Sequence, residues 1–202
     1  DRVTSLDVSS FNTSNVIDMT GMFSNTRSLT SLNLSDFNTS KVTNMSNMFY
    51  YADNLTSLDI SSFNTSNVTD MTGMFSNTRS LTSLNLSSFD TSNVTNMTGM
   101  FSKVDELTSL NLSHFNTSKV TSMQAMFKDM YRLTSLDLSS FDTSKVTTMG
   151  FMFFNTPSLI SIDISTFNPS SVTNVEGMFG IEDWYISRDK LEKIYANNDF
   201  DI

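Results

Sequence analysis

Oxygen-bearing side chains recur every 26 residues along this chain. They form a column, by which we mean the residues at equivalent positions of a repeated unit, made of Asp7, Asn33, Asp59, Asn85, Asn111, Asp137 and Asp163. Such oxygens suit Ca²⁺, and on adjacent strands they lie roughly 4.8 Å apart. A tight site needs a denser cluster of carboxylates than a column in which Asn dilutes the charge. We therefore predict a hydrogen-bonded Asn/Asp ladder and no metal site, with weak Ca²⁺ binding as the alternative.

Catalytic chemistry has few candidate residues. His114 is the only histidine, and its column otherwise holds Ser, Asp and Thr, so we interpret it as a surface substitution. Ser and Asp occur in every repeat, so their presence alone does not indicate a Ser/His/Asp triad. The absence of cysteine excludes disulfides and thiolate metal sites, and the repeats contain no insertion that could form an active-site loop. We predict that the protein is not an enzyme and uses no cofactor.

Methionine and phenylalanine are confined to a few columns. Thirteen of the fourteen methionines lie in the columns headed by Met19 and Met22, and fourteen of the seventeen phenylalanines lie in those headed by Phe11 and Phe23. Thioethers bind soft metals, but a flexible thioether more commonly fills gaps in a hydrophobic core. We predict that these four columns form the core.

Variation between copies concentrates in the five positions after each Met-Phe pair, such as 24–28, 50–54, 102–106 and 128–132, which we call the rim. Tyr and Arg in such a loop resemble the anchors of protein interfaces, although neutral drift on a tolerant loop would look the same. Our candidate binding residues on the rim are Tyr50, Tyr51, Asp53, Lys103, Tyr131 and Arg132. The alternative binding surface is the face of the predicted sheet that carries Asp59, Asn85, Asn111 and Asp137.

A repeated framework must hold these residues. Seven copies of a 26-residue unit follow one another in unbroken register. A period of this size indicates a solenoid in which each unit stacks on its neighbours. Eight columns stay apolar and are the predicted core; they are headed by Val3, Leu6, Val8, Phe11, Val16, Met19, Met22 and Phe23.

Each unit contains two segments with different patterns. The segment 5–9 alternates polar and apolar residues, which predicts a strand with one buried face, and the copies together predict a parallel sheet. The segment 16–23, which we call the turn segment, has apolar residues at a spacing closer to a helical turn or a 3₁₀ piece than to a strand. We predict a short helical or irregular segment there, with a second short strand as the alternative. Gly21 heads a column that also holds Ala125 and Phe151. We predict negative φ throughout that column, because a bulky residue at positive φ is strained.

The repeats LTSLNLSDFNTSKVTNMSNMF and LTSLDISSFNTSNVTDMTGMF resemble those of the BspA-like leucine-rich repeat surface proteins of bacteria. The resemblance covers residues 3–184 and recurs seven times. Family members commonly carry a small residue or Cys two places after Met-Phe, where this chain has Asn25, Asn77 and Asn155 in three copies. The resemblance implies a secreted protein, displayed on the bacterial cell surface and used in adhesion or partner binding. It brings no catalytic or ligand-binding residue with it.

The end of the chain leaves the repeat pattern. We predict a leucine-rich-repeat-like solenoid over residues 1–184 and a C-terminal helical cap over 185–202. Ser187 is a suitable N-cap, and Leu191, Ile194 and Tyr195 can share one helix face. A solenoid needs such a cap over its last unit. We expect Trp184 to cover the apolar interior there, with a ligand platform as the alternative.

Charge and hydropathy limit the partners. The net charge is −9, so the chain would repel nucleic acid and anionic lipid. No apolar stretch is long enough to span a membrane, so we predict no direct membrane insertion. The chain starts inside a repeat and has no initiator Met or signal-type segment. We therefore expect it to be a fragment whose signal and anchor lie elsewhere.

Three functions remain after these exclusions. The first is a non-catalytic adhesion module that binds a protein or glycan on a host or neighbouring cell, since a solenoid presents an extended surface. The second is a structural spacer that displays another domain. The third is ice binding, because the columns headed by Thr4 and Thr13 form regular hydroxyl ladders, although Ile160 and Pro169 interrupt them.

Overall fold

The computed structural model describes residues 3–182 and 189–197. Backbone hydrogen bonds join each copy of the repeat to the next. In the second copy, four alternate N–H groups donate to carbonyl oxygens 25 residues further on, at 2.7 to 3.0 Å; the donor and acceptor residues are Met45 and Asp70, Asn47 and Thr72, Phe49 and Met74, and Tyr51 and Ser76. Other copies repeat these bonds, so the copies lie on one another as consecutive layers.

Parallel pairing between layers is more continuous in the turn segment than in the predicted strand. On the predicted strand, β1 (Ser5–Leu6) pairs in parallel with β2 (Ser31–Leu32), and Asn33 forms a single bridge with Asp59. In the turn segment, single parallel bridges run without a break from Asp18 to Asn174 through Asn44, Asp70, Asn96, Ser122 and Thr148. The described turn segments contain turns and no helix, so of the two predicted forms, helical or irregular, the structure has the irregular one.

The Gly21 column has positive φ, so the prediction of negative φ was wrong. Its φ values lie between 55° and 61°, and the column includes Ala125 at 55° and Phe151 at 57°. In the first copy the N–H of Met22 donates to the carbonyl of Met19 at 3.2 Å, which closes a turn with Gly21 in third position. A type II turn requires positive φ at that position. The turn and the bond to the next layer therefore set the dihedral, whichever side chain is present.

The predicted apolar columns form the core of the stack. In the interior copies Leu58, Ile60, Phe63, Met71 and Met74 are buried, and the equivalent residues of most other copies are buried with them. The Phe23 column stacks ring on ring down the molecule, with centroids 5.3 to 5.9 Å apart and interplanar angles of 4° to 10°. The first layer is less covered, and Phe11 and Met22 there are exposed.

The Thr13 column is buried and ties consecutive layers together. The hydroxyl of Thr91 accepts the N–H of Asn116 at 2.8 Å and donates to the carbonyl of the same residue at 3.0 Å. The same pair of bonds recurs at Thr13, Thr39, Thr65, Thr117 and Thr143. Because these hydroxyls face the interior, the column is not a surface ladder.

The C-terminal residues described by the structure form a strand, so the predicted helix is wrong there. β4 (Lys193–Ala196) pairs in parallel with β3 (Ser161–Ile164), with Asp163 opposite Tyr195. The open edge of β3 offers backbone donors and acceptors that β4 satisfies, and the sequence Lys-Ile-Tyr-Ala also alternates as a strand does. The side chain of Asn197 donates to the carbonyl of Phe167 at 2.7 Å. Trp184 and Ser187 lie outside the described residues.

Candidate functional site

The backbone of the rim is as regular as that of the turn segment. One rim column has φ between 55° and 61° in the first six copies, at Asn25, Tyr51, Asn77, Lys103, Asp129 and Asn155. The N–H groups of this column donate to the next layer, as that of Lys103 does to the carbonyl of Lys128 at 2.8 Å. Asn tolerates the left-handed region, whereas a bulky residue there is strained. Tyr51 and Lys103 thus hold long side chains at a strained position.

Three of the predicted residues meet in one cluster. The ring of Tyr50 packs edge-on against that of Tyr51, with centroids 4.5 Å apart. The guanidinium of Arg27 lies over the Tyr51 ring at 4.9 Å, and its Nε is 3.8 Å from a carboxylate oxygen of Asp53. Burial, and then the neighbouring Tyr51, raise the pKa of Tyr50. The sequence prediction missed Arg27, although the motif Ser-Asn-Thr-Arg-Ser occurs at 24–28 and again at 76–80.

Charges of opposite sign alternate along one rim column, at Arg27, Asp53, Arg79 and Asp105. Arg79 lies between the two carboxylates, with its Nε 3.7 Å from Asp53 and 4.0 Å from Asp105. Within the described residues, one buried oxygen of each of these carboxylates has no hydrogen-bond partner. Burial raises the pKa of Asp105 to about 6, although the Arg79 charge acts in the opposite direction. The rim therefore carries a charged row that is only loosely paired.

A second cluster surrounds Asp129. Its side chain is buried, accepts a hydrogen bond from Asn155 at 2.8 Å, and lies 3.9 Å from the ammonium groups of both Lys103 and Lys128. Of the predicted residues, Lys103 belongs to this cluster, Arg132 forms an ion pair with Glu106, and Tyr131 is half-buried. The prediction missed Asp129 and Lys128 because Lys103 meets Asp129 across one layer of the stack, a contact that the sequence does not show. The six predicted residues therefore do not form one compact site.

The alternative surface, on the strand side, is held by bonds within each copy. Oδ1 of Asp59, Asn85, Asn111 and Asp137 accepts the N–H of the residue two places on, at 2.9 to 3.1 Å. The structure thus gives these side chains local turns in place of the predicted ladder between copies. Hydrogen bonds from Ser61 and Ser139 lower the pKa values of Asp59 and Asp137. Across residues 3–182 and 189–197, no three His, Asp or Glu side chains come together as a metal site.

His114 has the role of the serines in its column. Its Nε2 lies 2.8 Å from the carbonyl oxygen of Leu86, and it is exposed. The hydroxyls of Ser62, Ser88 and Ser140 donate to the equivalent carbonyls at 3.2 to 3.3 Å. The imidazole therefore makes the same contact between layers as these hydroxyls.

Stacked copies of one 26-residue unit define a repeat protein. A family model described as Mycoplasma protein of unknown function, DUF285, matches residues 2–109 and again 82–185. The two matches span most of the chain, which therefore belongs to this family. No curated protein and no solved structure matches the chain. In the described part of the chain, no helix has the length and apolar character needed to cross a membrane.

Proposed function

We propose that this protein is a non-catalytic binding module of the bacterial cell surface, with the fold of a leucine-rich-repeat-like solenoid. Its rim would bind a protein or glycan on a host or neighbouring cell. The surface location rests on the BspA-like resemblance of the repeats. The observation that carries the binding role is the pair of long side chains, Tyr51 and Lys103, at a rim position of positive φ.

Positive φ at a non-glycine residue costs roughly 1–2 kcal/mol. Three copies have Asn in this column, at Asn25, Asn77 and Asn155, and Asn tolerates the conformation better. Strained residues cluster at functional sites, where the strained group serves a ligand. An aromatic ring and an ammonium group at this column therefore support a role on the surface beyond holding the stack together.

The surroundings of Tyr51 fit an interface anchor. Tyr50, Arg27 and Asp53 lie around it, so an aromatic pair, a guanidinium and a carboxylate share one patch. Tyr and Arg are enriched among the residues that dominate binding energy. The guanidinium and carboxylate are only partly buried, which leaves them able to contact a partner.

The spacer and ice-binding alternatives differ in what favours them. The regular stack favours a spacer, since an elongated repeat protein can hold another domain at a distance. One of the two hydroxyl ladders that favoured ice binding is not on the surface, because the Thr13 column is buried. The exposed Thr4 column remains, and a thermal-hysteresis assay tests it.

The test is an array of glycans and host proteins, followed by affinity measurement on each ligand found. We expect a variant with Tyr50, Tyr51, Tyr131 and Arg132 all replaced by Ser to bind at least tenfold more weakly, or roughly 1.4 kcal/mol. Its melting temperature should change little. The matched control replaces Asp59, Asn85, Asn111 and Asp137 with Ser on the strand side. Loss of affinity in the control alone would assign binding to that side, and no ligand at all would favour the spacer.

A further inference from the structure

A groove of about 590 Å³ lies on the strand side near the C-terminal end of the stack. Outward side chains of three consecutive copies form its floor, and the C-terminal strand contributes one aromatic residue. The lining includes Asn111, Ser135, Asp137, Ser161, Asp163 and Tyr195. The groove lies apart from the rim, which begins after each Met-Phe pair.

The pairing of β3 with β4 explains why the groove has an aromatic end. Ser161 lies opposite Lys193 and Asp163 lies opposite Tyr195. Side chains at paired positions of adjacent strands point to the same face of a sheet. β4 therefore extends the Ser and Asn/Asp columns by one strand, but substitutes an ammonium group and a phenol ring for the usual Ser and Asp.

Tyr195 is 52% exposed, so its ring is not needed to fill the core. Beside it, Asp137 and Asp163 each use Oδ1 to accept a backbone N–H, at 2.9 Å in both cases. Each carboxylate keeps its second oxygen as an acceptor. Hydrogen bonds from Ser139 and Ser165 also lower the pKa values of these two carboxylates, which favours the ionised, accepting form.

This set of groups matches the chemistry of a sugar ring. The hydroxyls of a saccharide donate to carboxylate oxygens and exchange hydrogen bonds with Ser and Asn, while the C–H face of the ring packs on an aromatic side chain. The columns repeat at roughly 4.8 Å along the groove, which is close to the length of one pyranose unit. A chain of sugars lying across these three layers would thus meet an Asn or Asp side chain in each layer.

We propose that this groove binds an uncharged oligosaccharide, with one sugar ring stacked on Tyr195 and sugar hydroxyls donating to Asp137 and Asp163. Acidic sugars are disfavoured because their charge would repel the carboxylates. The proposal rests on the proposed binding function, but it names a different surface and one class of ligand. It does not depend on the rim residues.

The test measures binding of uncharged glucan, mannan, galactan and chitin fragments to the whole chain by calorimetry. We expect Tyr195→Ala to weaken binding at least tenfold and Tyr195→Phe to retain it, because the ring and not the hydroxyl makes the stacking contact. Asp163→Ser should also weaken it. The matched control, Asp59→Ser, changes the same column outside the groove and should bind as the unmodified chain does. Melting curves confirm that each variant is folded.

Two results would contradict the proposal that the groove binds a saccharide. One is that no uncharged fragment binds at millimolar concentration, and the other is that Tyr195→Ala binds unchanged. The fourfold rim variant separates this proposal from the proposed function. If that variant keeps saccharide binding but loses its partner from the array, both proposals hold. If it loses saccharide binding while Tyr195→Ala keeps it, the glycan binds at the rim and the groove proposal fails.

Discussion

The turn segment and the rim follow one backbone rule but differ in their side chains. Phe49 in the turn segment and Tyr51 on the rim both donate an N–H to the next layer, to Met74 and Ser76. The Phe49 column is Phe in all seven copies, whereas the Tyr51 column holds Asn, Tyr, Lys, Asp and Ile. Backbone bonds between layers therefore do not require a particular rim side chain. The rim has a regular backbone, so its side chains can change without loss of the hydrogen bonds between layers.

The largest expected effect comes from breaking the register that both regions share. Deleting residues 55–80 removes one full period and should leave a folded, shorter stack, because every apolar column still meets its equivalent. Deleting only 55–67 should abolish cooperative folding, since buried and exposed columns then face each other. Circular dichroism melts of both proteins measure this. Equal melting behaviour would contradict the stacked register.

Within the turn segment, one column offers a matched pair of methionines. Met74 is fully buried, whereas Met22 in the first layer is 36% exposed. Met74→Ala should lower the free energy of unfolding by roughly 2–5 kcal/mol, as expected for a large-to-small core substitution. Met22→Ala should lower it by less than about 1 kcal/mol, since less apolar area is lost. Urea unfolding compares them, and equal effects would mean that the layers do not bury this column.

The Thr13 column gives a smaller effect through hydrogen bonding. Thr91→Val keeps the shape of the side chain but leaves the N–H and carbonyl of Asn116 without their partner. An unsatisfied buried group costs roughly 1–3 kcal/mol. Thr95→Val is the control, because Thr95 is exposed and its own N–H still donates to Thr69 after the change. If the two variants unfold at the same urea concentration, the buried hydroxyls contribute nothing to holding the layers together.

The sequence was sufficient to predict which residues form the interior, but not to predict the backbone conformation of the turns. Columns such as those of Leu58 and Met74 were predictable, because burial selects residue type at a fixed period. The positive φ of Ala125 and Phe151 was not, because a bond to the next layer imposes it and the penalty of a few kcal/mol at most does not exclude those residues. The strand at Lys193–Ala196 was missed because Leu191, Ile194 and Tyr195 have the spacing of one helix face, whereas pairing with β3 makes this segment a strand.

The rim was predictable as a variable region but not as a set of contacts. Tyr50, Tyr51 and Asp53 are neighbours in sequence, and the structure brings them together. Arg27 joins them from one layer away, which only the stacking distance reveals. The strand-side groove could not be predicted either, because Tyr195 lines it through a strand pairing that the sequence does not indicate.

The smallest expected effect concerns the rim itself. Tyr51→Asn places at φ 57° the residue that three other copies have there. It relieves strain of roughly 1–2 kcal/mol and loses a half-exposed contact with Arg27 worth about 0.5–1 kcal/mol. The free energy of unfolding should therefore stay unchanged or rise by up to about 1.5 kcal/mol, measured by urea unfolding.

Tyr50→Ser is the matched control, because it removes the adjacent ring at a residue that is not among those with positive φ. This variant relieves no strain and should lower the free energy of unfolding slightly. Equal losses in both variants would show that Tyr51 is not strained and would remove the main support for a binding rim. If Tyr51→Asn instead gains stability and loses affinity for a ligand from the array, the Tyr51 ring destabilises the fold but contributes to binding. A core residue has the opposite effect. Met74→Ala should lower the free energy of unfolding and leave the affinity for a ligand unchanged.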